Sequence, residues 1–174
     1  MKKIVLVVAF LSVYTGFSQE FENTPKNNEL SLNTYELIAL KRFEISYERI
    51  LNEESSFGIS VLKSLQQPKK EEYIFGRDLS ITPYYRHFFS DGYARGFFMD
   101  AFLMYNSGKR DIWLDDSNDL KSYSDVAFGI GLGGKFISRK AFVGTIQGGI
   151  GRNLFDNNAP EVVGRLEISF GFRF

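Results

Sequence analysis

Hydrophobic and polar positions alternate with a period of two along most of this 174-residue chain, most clearly near its C-terminal end. There Gly164, Leu166, Ile168, Phe170, Phe172 and Phe174 occupy the even positions, and Arg165, Glu167, Ser169, Gly171 and Arg173 the odd ones. Successive side chains of a strand point to opposite faces, so this is a strand with one apolar and one polar side. The same alternation recurs upstream. Val126, Phe128, Ile130, Leu132 and Phe136 are set against Asp125, Ala127, Gly129, Gly131 and Lys135. Phe142, Ile146 and Ile150 are set against Val143, Thr145, Gln147 and Gly149. Phe97, Met99, Leu103 and Tyr105 share a face that excludes Asp100; Phe43, Ile45 and Tyr47 share one that excludes Glu44 and Glu48. Phe57, Ile59 and Val61, and then Ile81, Tyr85 and Phe89, repeat the pattern, with Arg86 on the polar side. A weaker run sets Tyr35, Leu37 and Ala39 against Thr34, Glu36 and Ile38.

These eight runs predict strands over residues 30–40, 42–51, 56–65, 78–89, 95–106, 123–137, 141–153 and 162–174. Most exceed the five or six residues (roughly) of an ordinary globular strand and match the nine to eleven (about) of a tilted strand crossing a bilayer. The connections support the same reading. Residues 52–55, 90–94 and 138–140 are short and polar, while 66–77, 107–122 and 154–161 are mostly longer. Short turns alternating with long loops are the pattern of outer-membrane barrels, with turns on the periplasmic side. The first connection, near Leu40 to Arg42, is short where a loop is expected. The predicted fold is all-β: an eight-stranded antiparallel up-and-down transmembrane barrel over residues 30–174.

Alternation alone leaves the wet face undecided. A lipocalin-like barrel turns its apolar face inward; a membrane barrel turns it to lipid. The polar face carries Glu36, Glu44, Glu48, Arg86, Asp100, Lys135, Arg165, Glu167 and Arg173, of mixed sign and in mid-strand. An eight-stranded interior is just wide enough to be filled by side chains, and buried charges persist there only when paired. The nine are therefore expected to form an interior charge network, with the apolar face outward. Arg49 and Arg152 fall on the outer face but near strand ends, where long basic side chains reach the interface. Pro83 either costs a ladder hydrogen bond or marks a bulge.

The N-terminus adds a location. Met1-Lys2-Lys3, an apolar run from Ile4 to Tyr14, and Gly16 and Ser18 at −3 and −1 read as a secretory signal peptide over residues 1–18. Cleavage is expected between Ser18 and Gln19, leaving 19–29 as a short periplasmic segment. Loss of Lys2 and Lys3 leaves 19 basic against 21 acidic side chains, a net charge of −2. That balance argues against nucleic acid, whose binding needs a dominant basic face. The chain has no cysteine, so no disulfide stabilises it.

The stretch Ile81-Thr82-Pro83-Tyr84-Tyr85-Arg86-His87-Phe88-Phe89, followed by Gly96-Phe97-Phe98, resembles a family of small outer-membrane β-barrels of flavobacteria-type Gram-negative bacteria, a domain-of-unknown-function group. The run from Phe43 to Leu51, Gly133-Gly134-Lys135, Gly149-Ile150-Gly151-Arg152-Asn153 and the closing Phe170-Gly171-Phe172-Arg173-Phe174 carry the same likeness. The resemblance implies an OmpX/OmpA-like barrel and a terminal aromatic, Phe174, read by the barrel-assembly machinery. It implies no activity.

Motifs for chemistry are weak. Gly129-Ile130-Gly131-Leu132-Gly133-Gly134 has the letters of a dinucleotide loop but lies inside an alternating strand, without the helix that motif requires. His87 is the single histidine; residue 89 is Phe, so the His-x-Ser spacing of membrane lipid deacylases is absent. Asp115, Ser117 and Asp119 alternate like calcium ligands, but Leu120 stands where the glycine of that loop belongs. Trp113, the only tryptophan, fits an interfacial anchor. No catalytic, metal or cofactor site is assigned. The expected function is a structural or surface-interaction barrel, not an enzyme, with outer-membrane lipid, the assembly machinery and an unidentified external-loop contact as partners. A secreted soluble barrel holding an apolar ligand and a lipid-modifying enzyme are the alternatives.

Overall fold

In the computed structural model, residues 26–65, 76–111, 120–156 and 158–174 are described. The expected signal peptide and cleavage site, Trp113 and the Asp115–Asp119 pattern lie outside them.

Eight antiparallel strands close into an up-and-down barrel: β1 (Asn28–Asn33), β2 (Arg42–Ile50), β3 (Ser55–Ser64), β4 (Gly76–Phe88), β5 (Gly96–Asp111), β6 (Leu120–Ile137), β7 (Phe142–Asn153) and β8 (Val162–Arg173). Each pairs with its sequence neighbours, and β1 pairs with β8 to close the ring. Stepping from partner to partner, Arg173 leads through Glu29, Glu48, Gly58, Tyr84, Phe102, Gly129 and Gly151 to Val163, ten residues along β8 from the start. That stagger is what tilts the strands against the barrel axis.

The first run departs from expectation. Only Asn28–Asn33 is strand; Thr34–Ala39 forms one short helix, α1. Asn33 is its N-cap, with its side-chain oxygen accepting from the Glu36 N–H at 3.4 Å, and Glu36 sits at the third helical position. Asn-x-x-Glu is a capping pattern, and it wins here over a period-two reading of Tyr35, Leu37 and Ala39. In β1 itself the odd residues, Glu29 and Asn33, are buried and Leu30 faces out. Helix α1 also lengthens the first connection, so the loop end has a helix where the sequence suggested a tight turn.

Two other expectations change. Residues 107–111 and 120–122, expected in a loop, are strand, since β5 runs to Asp111 and β6 begins at Leu120. Pro83 makes no bulge: the β4–β5 register is the same at Ile81–Tyr105 as at Tyr84–Phe102, with Thr82 and Pro83 unpaired between them. The register shift lies lower in sequence, between Arg77 and Leu79.

The short turns close one end. Beneath it Ile50, Phe88, Ala94 and Phe98 form a buried apolar cluster with Tyr93 against it. Arg173 donates to the carbonyls of Tyr93 and Ala94 at 2.9 and 2.8 Å, tying the β4–β5 turn under the barrel. A second cluster, Tyr84, Phe102, Met104, Ala127 and Val163, lies nearer the loop end.

Candidate functional site

Between the two apolar clusters lies a layer of charge. Glu48 is its hub: it accepts from Arg86 Nη1 at 2.9 Å, Tyr84 Oη at 3.1 Å, Ser56 Oγ at 2.6 Å and Lys135 Nζ. Lys135 also donates to Glu29 at 2.6 Å, and Glu29 accepts from Arg173 Nε at 2.6 Å. Arg86 continues the chain through Nη2 to Gln147 at 2.8 Å and Asp100 at 3.3 Å, with Glu167 at 3.6 Å. Gln147 donates to Asp100 at 2.7 Å; Arg165 stands 3.5 Å from both Asp100 and Glu167. Four cations thus face Glu29, Glu48, Asp100 and Glu167. Equal numbers of opposite charge, interlocked, are the arrangement that lets ions remain inside a low-dielectric wall.

The aromatic clusters hold this layer from either side. The Arg86 guanidinium lies 3.9 Å from the Phe98 ring centroid and 4.9 Å from that of Tyr84; Arg165 lies 4.8 Å from Tyr84 and Lys135 Nζ 5.2 Å from Phe88. Such contacts attract a cation to the ring face and fix its position. Space for them comes from glycine. A Cβ on Gly131 would stand 2.4 Å from Asp100 Oδ1 and 2.6 Å from Gln147 Nε2. The glycine run of β6 therefore serves packing.

Of the nine charges expected inside, seven (Glu48, Arg86, Asp100, Lys135, Arg165, Glu167 and Arg173) belong to this layer. Glu44 is buried and makes no ion pair within 4 Å among the described residues; it accepts from Asn33 Nδ2 at 2.8 Å. Glu36 reaches the interior from α1, at 2.6 Å from Arg42 Nε and 3.6 Å from Arg77 Nη2. Glu29, Arg42 and Arg77 were not foreseen. Glu29 lay just outside the expected first strand. Arg42 shares the parity of Glu44, a signal sufficient to find it.

The loop end is built differently. Here β1 has stopped, so β8 above Ser169 has β7 on one side and no strand on the other. Side chains take over: Asn33 Nδ2 donates to Leu166 O at 3.0 Å, Asn33 Oδ1 accepts from Ile168 N at 3.3 Å, and Thr34 Oγ1 donates to Ile168 O at 2.8 Å. The β7–β8 loop is fastened by Asp125, which accepts from the amides of Phe155 and Asp156 at 3.0 Å each. Asp156 in turn accepts from the amides of Ser124 and Asn158, which hold its carboxyl below the usual aspartate range. A cavity of about 260 Å³ lies here, lined by Arg42, Arg77, Asn106, Tyr123 and the Val162–Gly164 segment.

The remaining predicted positions are peripheral. His87 is half-buried on the outer side, edge-on to Phe89 at 4.9 Å. Arg49 donates to Asn28 at 2.7 Å, and Arg152 pairs with Glu161 in the open. Phe174 is exposed; its N–H and C=O exchange hydrogen bonds with Asn28 at 2.7 and 3.0 Å. No protein-family model matches the chain, and no curated protein or solved structure is significantly similar to it.

Proposed function

We propose that this protein is an integral outer-membrane barrel whose ion-filled interior makes it a wall element and a platform for loops, and neither a pore nor a container. The observation that carries the reading is the outer surface. Every strand presents exposed large apolar side chains, among them Leu30, Ile45, Ile59, Tyr85, Leu103, Ile130, Ile146 and Leu166. Soluble monomers do not display an apolar surface around their whole circumference, whereas lipid requires one. A closed ring also leaves strand edges unpaired only at the β1 seam above Ser169, part of which Asn33 and Thr34 cover, and a paired edge is the condition for a β-structure in hydrocarbon.

Storage of an apolar ligand fits poorly, because the interior is charged and occupied. Arg86, Phe88, Phe98, Phe102 and Lys135 fill it and are almost wholly buried, which also argues against a diffusion channel. The terminal Phe174 remains open to the barrel-assembly machinery, as the family resemblance implies, and the signal peptide supplies the route of export.

Fractionation tests the reading. The protein is expected to co-sediment with outer membranes and to stay there through alkaline extraction. Recovery in the alkaline supernatant would overturn it. Ile130→Arg, on the outer face, should cost roughly 2–4 kcal/mol of folding into liposomes if it lies near the bilayer midplane.

A further inference from the structure

We propose that the cavity at the loop end is a binding site for a membrane-borne amphiphile with an anionic, hydroxyl-bearing headgroup, which enters sideways through the gap that β1 leaves in the wall. The lateral entry rests on the outer-membrane reading; the site itself does not.

The cavity's charge is the first argument. Its lining includes Arg42 and Arg77 and no acidic residue. Glu36 lies behind them, bonded to Arg42 at 2.6 Å and only loosely opposed to Arg77 at 3.6 Å. Glu44 also opposes Arg77 from deeper in the barrel, but neither carboxylate lines the space, so the charge that faces it is positive.

The second argument is unmet hydrogen bonding. Arg77 is 8 % exposed, yet among the described residues its hydrogen-bond contacts are 3.0 Å to the Met104 sulfur and 3.5 Å to the Gly164 carbonyl. Its Nε has no partner among the described residues, and neither does Oδ1 of the fully buried Asn106. A guanidinium carries five donors in a fixed fork, and burying it without acceptors is costly. An anion supplies acceptors for Arg77; a hydroxyl supplies a donor for Asn106. A phosphate or carboxylate on a polyol carries both. The charge layer below also keeps unpartnered atoms, Arg86 Nε and Asp100 Oδ1 among them, but each of its cations has a carboxylate within 3.5 Å, whereas the nearest to Arg77 among the described residues is at 3.6 Å.

The third argument is the direction of access. The even residues of β8 turn their backbone groups towards β1, as the Phe174–Asn28 exchange shows. Asn33 and Thr34 cover that edge as far as Leu166. Beyond it the cavity is lined by outward Val162 and Gly164 as well as inward Val163, so it crosses the wall. A Cβ placed on Gly164 would meet nothing within 4 Å. The headgroup can sit against Arg77 while its acyl chains lie on the apolar outer surface.

The test uses the full mature chain refolded in detergent. Its probes are phosphatidylglycerol and phosphatidylcholine doped into the micelles, and free glycerol 3-phosphate and inorganic phosphate. Binding is followed by native mass spectrometry and by tyrosine and tryptophan fluorescence. Saturable binding of phosphatidylglycerol over phosphatidylcholine is expected. Arg77→Gln should weaken it by about tenfold or more, the effect of losing a charge-assisted hydrogen bond. Arg42→Gln, at the partly exposed rim, gives the same reading if Arg77→Gln does not fold. Gly164→Trp should obstruct phosphatidylglycerol and spare glycerol 3-phosphate, while Gly148→Trp, which also has free space, should change neither. Equal binding of the two lipids would overturn the proposal, as would binding of the soluble anions alone or indifference to Arg77→Gln and Arg42→Gln in folded protein. Vesicle flotation reports membrane insertion separately, so failure of the outer-membrane reading is distinguishable from failure of this site.

Discussion

The two ends of this barrel solve the same problem, polar groups inside a narrow wall, with opposite results. Towards the turns, eight strands run side by side and four cations meet four anions with aromatic rings above and below. Towards the loops, β1 gives way to α1, and Arg77 has no carboxylate nearer than 3.6 Å among the described residues. The difference teaches that closure of the ladder and pairing of opposite charges go together; single atoms stay without a partner at both levels, Arg165 Nη1 and Nη2 and Glu167 Oε2 among them in the layer. Where all eight strands are present, register places complementary charges at one level. Where one is missing, side chains such as Asn33 replace only part of it.

The sharpest way to break this comparison is at the hub. Glu48→Gln keeps the shape but leaves Arg86 and Lys135 short of a shared counter-ion. A loss of about 3–5 kcal/mol is expected, as for other broken buried pairs, read from urea titration of the refolded barrel in detergent. Next comes packing. Gly131→Ala forces a methyl into Asp100 and Gln147 and should cost about 1–3 kcal/mol. Gly164→Ala, at the open seam, should stay within about 0.5 kcal/mol of wild type in the same titration. A smaller effect still separates the two arginines of the loop end from the layer below. Arg77→Met removes a guanidinium that satisfies little, and Glu36 keeps Arg42, so about 1 kcal/mol or less is expected. Should Arg77→Met match Glu48→Gln, the two ends are equally paired in charge and the contrast fails.

The smallest effect is a pH response confined to the loop. Asp156 has a folded pKa below its ordinary value, so its contribution is fully present above the unfolded aspartate range and is lost as pH falls through the depressed folded value. The amide resonances of Ser124 and Asn158 should hold their positions through mild acid and shift only below that range. Movement near neutral pH would assign the loop's order to another group.

Much of the fold was legible because a wall with two solvents stamps a period of two on the chain. Strands β2 to β8 were found to within a few residues wherever one face was apolar. The ends of β5 and β6 were missed because Ser107 to Asp111 and, after Leu120, Lys121 and Ser122 offer no apolar face, so no alternation marks them. In β1 six residues were too few to establish parity, and Tyr35, Leu37 and Ala39 fit a strand as well as a helix. Asn33 and Glu36 held the deciding capping signal. Arg77 was hidden by the register shift between it and Leu79: it is buried at an odd position in a strand whose inward residues, Ser80, Thr82, Tyr84 and Arg86, are even. The charge layer could be listed from parity, but its partners could not. Which carboxylate meets which cation depends on the stagger that brings Arg173 round to Val163, and no single strand encodes that.

The shortness of β1 also bears on how the barrel breathes. Its ladder with β8 pairs five residues, Glu29 to Asn33, whereas β5 and β6 pair along the full length of β5 from Gly96 to Asp111. A ring under thermal agitation parts first at its weakest joint, and local opening draws on the least-bonded rungs. Transient loosening is therefore concentrated where the two ends of the barrel segment meet, and the opposite side acts as a stiff spine. Such a barrel flexes like a split collar: its diameter at the loop end can change while the β4–β7 arc and the ions anchored to it keep their places.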